Sequence, residues 1–153
     1  MRTITLNSPV RLYEMTVPAA PASTRLARDF VAGALEASGH PLLVHDARIC
    51  VSELVTNVWR HARVDSVGLE CYTSPSYARI SVRDADVTRW WRHPEAAPRE
   101  ESGRGIRLVR GLAHGFGVSL VWQGLNVVGK CMWFELWEGG AARSGGCGSQ
   151  SWV

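Results

Sequence analysis

The sequence predicts an α+β fold, a two-layer sandwich with helices on one face of a mostly antiparallel, mixed sheet. Three observations carry that expectation. Residues 66–73 with 77–84, and 115–124 with 126–138, form two pairs of strand-like segments, each pair joined by a short turn as hairpins require. Two stretches with apolar residues at helical spacing lie together between the first strand and the first hairpin. The alternating βα units that a parallel sheet needs are absent.

In chain order, "PVRLYEMTV" (9–17) alternates apolar and polar side chains, as a half-buried strand does. "PAAPAS" is a proline-interrupted loop ending at Ser23, the expected N-cap of the first helix. Leu26, Phe30, Val31, Ala34 and Leu35 give that helix its apolar seam, and Gly39 ends it. A second helix over 42–62 carries Leu43, Ala47, Cys50, Leu54, Val58 and Ala62 inward. The hairpin "SVGLECYT–SPS–YARISVRD" follows. Residues 85–103 hold two prolines and many charges and read as a long loop of the kind that often covers a site. "RGIRLVRGLAH" is a short helix, with Arg104, Arg107 and Arg110 on a face opposite Leu108, Val109 and Leu112. The closing hairpin turns near Gly124 and Asn126, and 139–153 is a Gly/Ser-rich tail expected to be disordered. Residues 1–138 thus form one domain, an ordinary size for a single core.

Composition narrows the function. No run approaches the length of a membrane span, and the N-terminal stretch lacks the pattern of a secretory signal. Four scattered cysteines without zinc spacing suit a reducing, cytoplasmic setting. A net charge of +3 is small for a nucleic-acid binder, although sixteen arginines and seven tryptophans keep single-strand binding as a minor alternative.

Three places carry chemistry. In "SELVTNVWRHA", Glu53, Asn57 and His61 follow one another at steps of four along one helix face. Asn is a poor mid-helix residue, and its amide oxygen suits a hard cation such as Mg²⁺, while Glu53 suits a base. Asp84 closes a β-branched strand, where a carboxylate can accept from an exocyclic amine. In "ESGRGIRLVRG", Gly103 and Gly105 flank Arg104 at a helix start, a place that attracts phosphate. Each place also fits an ordinary role: a solvated stripe, a turn residue, a basic surface.

Together, in this order, the motifs resemble the Bergerat-fold, histidine kinase-like ATP-binding family. "VSELVTNVWRHA" is similar to its N-box, "VRDADV" to its first glycine box, "GRGIRLVRGLAHGFGV" to its second, and "GKCMWFEL" to its closing strand. The likeness runs from Val17 to Glu138 and is strongest toward the small bacterial anti-sigma-factor serine kinases. It implies ATP and Mg²⁺ as cofactors, Asn57 on the metal, Glu53 as base and Asp84 on the adenine amine. It places Gly103 and Gly105 near the phosphates, Arg60 or Arg104 neutralising them, and Cys131 beside adenine where threonine is usual. A sigma factor and an anti-anti-sigma (STAS-type) protein would be the partners, and a homodimer through a sheet edge would be typical. Two further departures stand out: Asp86 holds a glycine position where a side chain would crowd the nucleotide, and Trp59 replaces a smaller residue. A nucleotide-sensing interaction module without catalysis is the alternative.

Overall fold

The structure, a computed structural model, describes residues 10–88 and 102–139, with the side chains of 102–104 left aside. Most of the expected loop and the tail from residue 140 therefore lie outside the described residues, as do the Gly103 and Arg104 surroundings. The elements run β1 (Arg11–Pro18), α1 (Ser23–Ala37), a 3-10 turn (Pro41–Leu43), α2 (Val44–His61), β2 (Ser66–Thr73), β3 (Tyr77–Asp84), α3 (Ser102–Leu112), β4 (Gly115–Gln123) and β5 (Asn126–Trp137). This is the expected α+β order.

The five described strands form one sheet in the order β1-β2-β3-β5-β4. Every pairing among them is antiparallel, so the sheet is more regular than the mixed one expected. Its inner row alternates as the pleat demands: Val67, Leu69 and Cys71 on β2, Ala78, Ile80 and Val82 on β3, Met132, Phe134 and Leu136 on β5. All are buried against the helices. Each fully buried Leu, Ile or Phe there contributes about 1.5–3 kcal/mol. The outer face is polar and aromatic instead. Arg83 pairs with Glu70, Arg79 bonds Glu135 at 2.9 Å and lies 4.3 Å over the Trp133 ring, and Tyr77 stacks on Trp137.

α2 is the central helix, burying Ala47, Cys50, Val51, Leu54, Val55 and Val58 against both α1 and the sheet. Ala62, expected in that seam, is only partly buried because the helix has ended at His61. On α1 the buried line is Ala27, Val31, Ala34 and Leu35, while Leu26 is 51% exposed. The seam is one residue out of phase with the expected Leu26, because steps of four and three lead from 27 to 31 and 34.

Ser23 does not cap α1: it is buried as the first helical residue, and the N-cap position is Ala22, already in helical conformation. The tight turn at Ala20–Pro21, closed by the Ser23 N–H on Ala20 O, sets the entry instead. Gly39 ends the helix as predicted, at φ +82°, with its own N–H on Glu36 O and the His40 N–H on Leu35 O. These are the two bonds of a Schellman stop. His40 is then clasped at the far end of the sheet, with Nδ1 2.9 Å from Glu138 and Nε2 2.7 Å from the Ser74 carbonyl.

α3 buries Ile106 and Val109 and exposes Leu108, so its inward face is shifted from the expected one. Arg107 and Arg110 do face outward, Arg110 lying over Phe116. Trp59 turns inward, its indole N–H donating to the Thr24 hydroxyl at 3.2 Å, and so ties α2 to α1.

Candidate nucleotide site

β3 ends in Asp84, which continues the inward row of Ala78, Ile80 and Val82. Its carboxylate is therefore driven into the interlayer by strand alternation alone. Oδ1 accepts the Asp86 N–H at 2.8 Å. Oδ2 is buried and has no hydrogen-bond partner among the described residues. Such an orphan acceptor costs about 1–3 kcal/mol and calls for a donor. Burial pushes the Asp84 carboxyl above the usual carboxylate range, against the pull of Lys130 and the Asp86 N–H. Lys130, directly across on β5, brings its Nζ to 3.6 Å from Oδ2. Gly129 makes this approach possible, because a Cβ there would stand 2.5 Å from the Asp84 carbonyl oxygen.

Glu53, Thr56, Asn57, Arg60 and His61 present the polar stripe of α2 to α3, where with Gly105 and Ile106 they enclose a cavity of about 30 Å³. That space suits an ion or a water, not a nucleotide. The reason is the close packing of α3: a Cβ at Gly105 would overlap Glu53 Oε2 and sit 3.4 Å from its Cδ. The Asn57 amide nitrogen lies 3.8 Å from Met132 Sδ, which turns the amide oxygen the other way. Met132 pairs with Val82, two residues from Asp84, so Asn57 and Asp84 face the same interlayer at the same end of the sheet. Asp84 itself is not part of the small cavity wall. On the other side of Glu53 an open groove of about 400 Å³ runs between α1 and α2, lined by Arg28, His45, Arg48, Ile49 and Ser52.

Residues 17–128 match the family model described as the histidine kinase-like ATPase domain. The chain belongs to that family. No curated protein matches it in sequence. Membership in the histidine kinase-like ATPase family implies ATP binding, with Mg²⁺ as the usual companion, and a regulatory role. The matched span takes in Glu53, Asn57, Arg60, Asp84 and the Gly103–Gly105 stretch, and stops before Lys130. No helix among the described residues is long and apolar enough to cross a membrane.

Within this ATPase domain the site residues divide clearly. Glu53, Asn57, Arg60 and Gly105 come together, while Asp84 stands outside their cavity, two residues along β3 from Val82, the cross-strand partner of the Met132 that Asn57 touches. Arg60 is exposed, its guanidinium 5.3 Å from the Trp59 ring. Gly103 and Arg104 begin α3. Cys131 does not line the site. It pairs with Arg83 and Ser119 on the outer face, where burial raises its thiol pKa and the Ser81 hydroxyl opposes that shift. Adjacent strand residues face opposite ways, so Met132 and Lys130 stand on the Asp84 side where Cys131 was expected.

Asp86 does not project as a crowding side chain either. Its carboxylate accepts from the Arg63 N–H at 3.3 Å, the Thr88 N–H at 2.9 Å and the Thr88 hydroxyl at 2.6 Å. The Thr88 hydroxyl, above all, holds it below the usual carboxylate range. It braces the end of β3 against the exit of α2. Sequence reasoning gave no role to Met132 or Lys130. The available signal was strand parity from Asp84, and the fact that Lys130 is the one lysine in the chain.

Proposed function

We propose that this ATPase domain binds Mg-ATP and transfers the γ-phosphoryl group to a serine of an anti-anti-sigma (STAS-type) protein, and that it also sequesters a sigma factor. The observation that carries the nucleotide part is the buried Oδ2 of Asp84, an acceptor with no hydrogen-bond partner among the described residues and only the Lys130 ammonium 3.6 Å away, at the end of the sheet where Asn57 meets Met132. It takes the exocyclic amine of adenine. Asn57 is the residue that would hold Mg²⁺, which supplies charge neutralisation on the phosphates. Backbone N–H groups at the start of α3, around Gly103 and Gly105, take phosphate oxygens, and Arg60 and Arg104 add positive charge. Entry of a triphosphate needs α3 to draw back from α2, since the space between them is now about 30 Å³.

Glu53 is the base. It accepts the proton of the serine hydroxyl as the serine oxygen bonds to the γ-phosphorus and the bond to ADP breaks. The groove beside α1 supports a protein acceptor, because it reaches Glu53 from the side opposite the small cavity and carries Arg28 and Arg48 for an acidic segment. Calorimetry with Mg-ATP, followed by radiolabel transfer to a co-purified STAS-type partner, tests the reading. Micromolar-range binding that Asn57→Ala weakens is expected, and absence of nucleotide heat overturns it.

A second reading keeps nucleotide binding without transfer. It is favoured by one contact, the seating of Gly105 against the Glu53 carboxylate, which covers the base. Mg-ATP binding by native protein with no transfer above background would select it, and equal signals from native protein and Glu53→Gln would argue against catalysis by Glu53.

A further inference from the structure

Lys130 is the single lysine among seventeen basic residues, and it is placed where a cation is costly. Its side chain is 13% exposed and faces an Asp84 side chain that is fully buried. A lysine serving only as counterion would close onto the carboxylate at about 2.7–2.9 Å. Here Nζ stops at 3.6 Å, and Oδ2 has no hydrogen-bond partner among the described residues. Donor and acceptor therefore stand side by side rather than satisfying each other. The arrangement is enforced by the backbone: Gly129 lets β5 close on Asp84, and the register sets Lys130 directly opposite.

A neighbouring acceptor and donor match one edge of a purine. Adenine offers the 6-amino group as donor beside N1 as acceptor. Guanine also sets an acceptor, O6, beside its N1–H donor, but its 2-amino group then needs a second acceptor, and Asp84 has only one oxygen to give because Oδ1 holds the Asp86 N–H. We propose that Lys130 is a second base-reading residue, donating from Nζ to N1 of adenine while Asp84 Oδ2 takes the 6-amino group. This rests on the ATP-binding reading above.

The test compares Mg-ATP with Mg-1-deaza-ATP, in which N1 is replaced by C–H, by calorimetry on native protein and Lys130→Met. Native protein should bind ATP at least about tenfold tighter than the 1-deaza analogue, as a charged hydrogen bond warrants, and Lys130→Met should bring the ratio within about twofold. A mere counterion would change both affinities together, so an unchanged ratio in the variant overturns the assignment and leaves ATP binding standing. Equal affinities on native protein overturn it without any variant, which covers the case of Lys130→Met failing to fold. No binding of either nucleotide overturns the ATP reading as well.

Discussion

Gly105→Ala separates the roles of packing and chemistry at Glu53. The new Cβ falls inside 3.0 Å of Glu53 Oε2, and at 3.4 Å from Cδ and 3.6 Å from Cβ, so the carboxylate must swing away. That carboxylate is the far end of a flexible side chain, and displacing it to a poorer rotamer costs about 0.5–1.5 kcal/mol. Alanine in place of glycine in α3 returns up to about 1 kcal/mol of helix propensity. The two nearly cancel. Stability from urea denaturation should stay within about 1 kcal/mol of native, while phosphoryl transfer falls about a hundredfold through the misplaced base. In a Glu53→Ala background the clash is gone, so Gly105→Ala should there stabilise by up to about 1 kcal/mol. The coupling from the four-protein cycle is then about 0.5–1.5 kcal/mol. The same stability change in both backgrounds would refute the contact as the cause.

Gly129→Ala meets backbone rather than side chain, with the Asp84 carbonyl oxygen 2.5 Å from the added Cβ. It should cost about 1–3 kcal/mol in urea denaturation and weaken nucleotide binding by parting Lys130 from Asp84; native-like stability would contradict this. Asp84 and Asp86 have opposite pH signatures. The raised Asp84 carboxyl stays protonated in the folded state where the unfolded chain has lost its proton, so its contribution declines as pH rises through that window. Asp86, held low, contributes above the ordinary carboxylate range and loses that contribution as pH falls through its depressed value. Relative to native, Asp84→Asn should therefore gain stability as pH rises above the ordinary carboxylate range, about 4, whereas the deficit of Asp86→Asn should shrink as pH falls below it, in urea midpoints measured across both windows. Parallel curves for all three would exclude both assignments. Cys131→Ser should leave ATP affinity within about twofold of native, and Met132→Ala should weaken it several-fold by fluorescence titration, since only Met132 faces the site. The reverse ranking would place the strand the other way up.

Much of this was legible in the residues because the fold obeys local rules. Alternation in "YARISVRD" put Asp84 in the inward row, and steps of four on α2 aligned Glu53 with Asn57. Reading went astray where tertiary packing chose between near-equal options. Leu26 and Leu108 are as apolar as their neighbours, yet the seams run through Ala27 on α1 and through Ile106 and Val109 on α3, the positions that steps of three and four bring inward. Cys131 was misplaced for a different reason. Its motif position suggested the adenine side, but a one-residue offset on a strand moves a side chain through the sheet. Asp86 shows a third limit: its partners, Arg63 and Thr88, are loop neighbours that no periodicity predicts. The close contact of Gly105 with Glu53 joins residues fifty-two positions apart, and only the packing of α3 on α2 reveals it.

The central claim is that an orphan carboxylate oxygen on Asp84 grips the amine of an adenine. Competition between ATP and purine riboside triphosphate, which lacks only the 6-amino group, tests it most directly. The amine should be worth at least about tenfold in affinity on native protein, and that advantage should shrink in Asp84→Asn. Equal binding of the two nucleotides to native protein would show that Asp84 Oδ2 does not read the base.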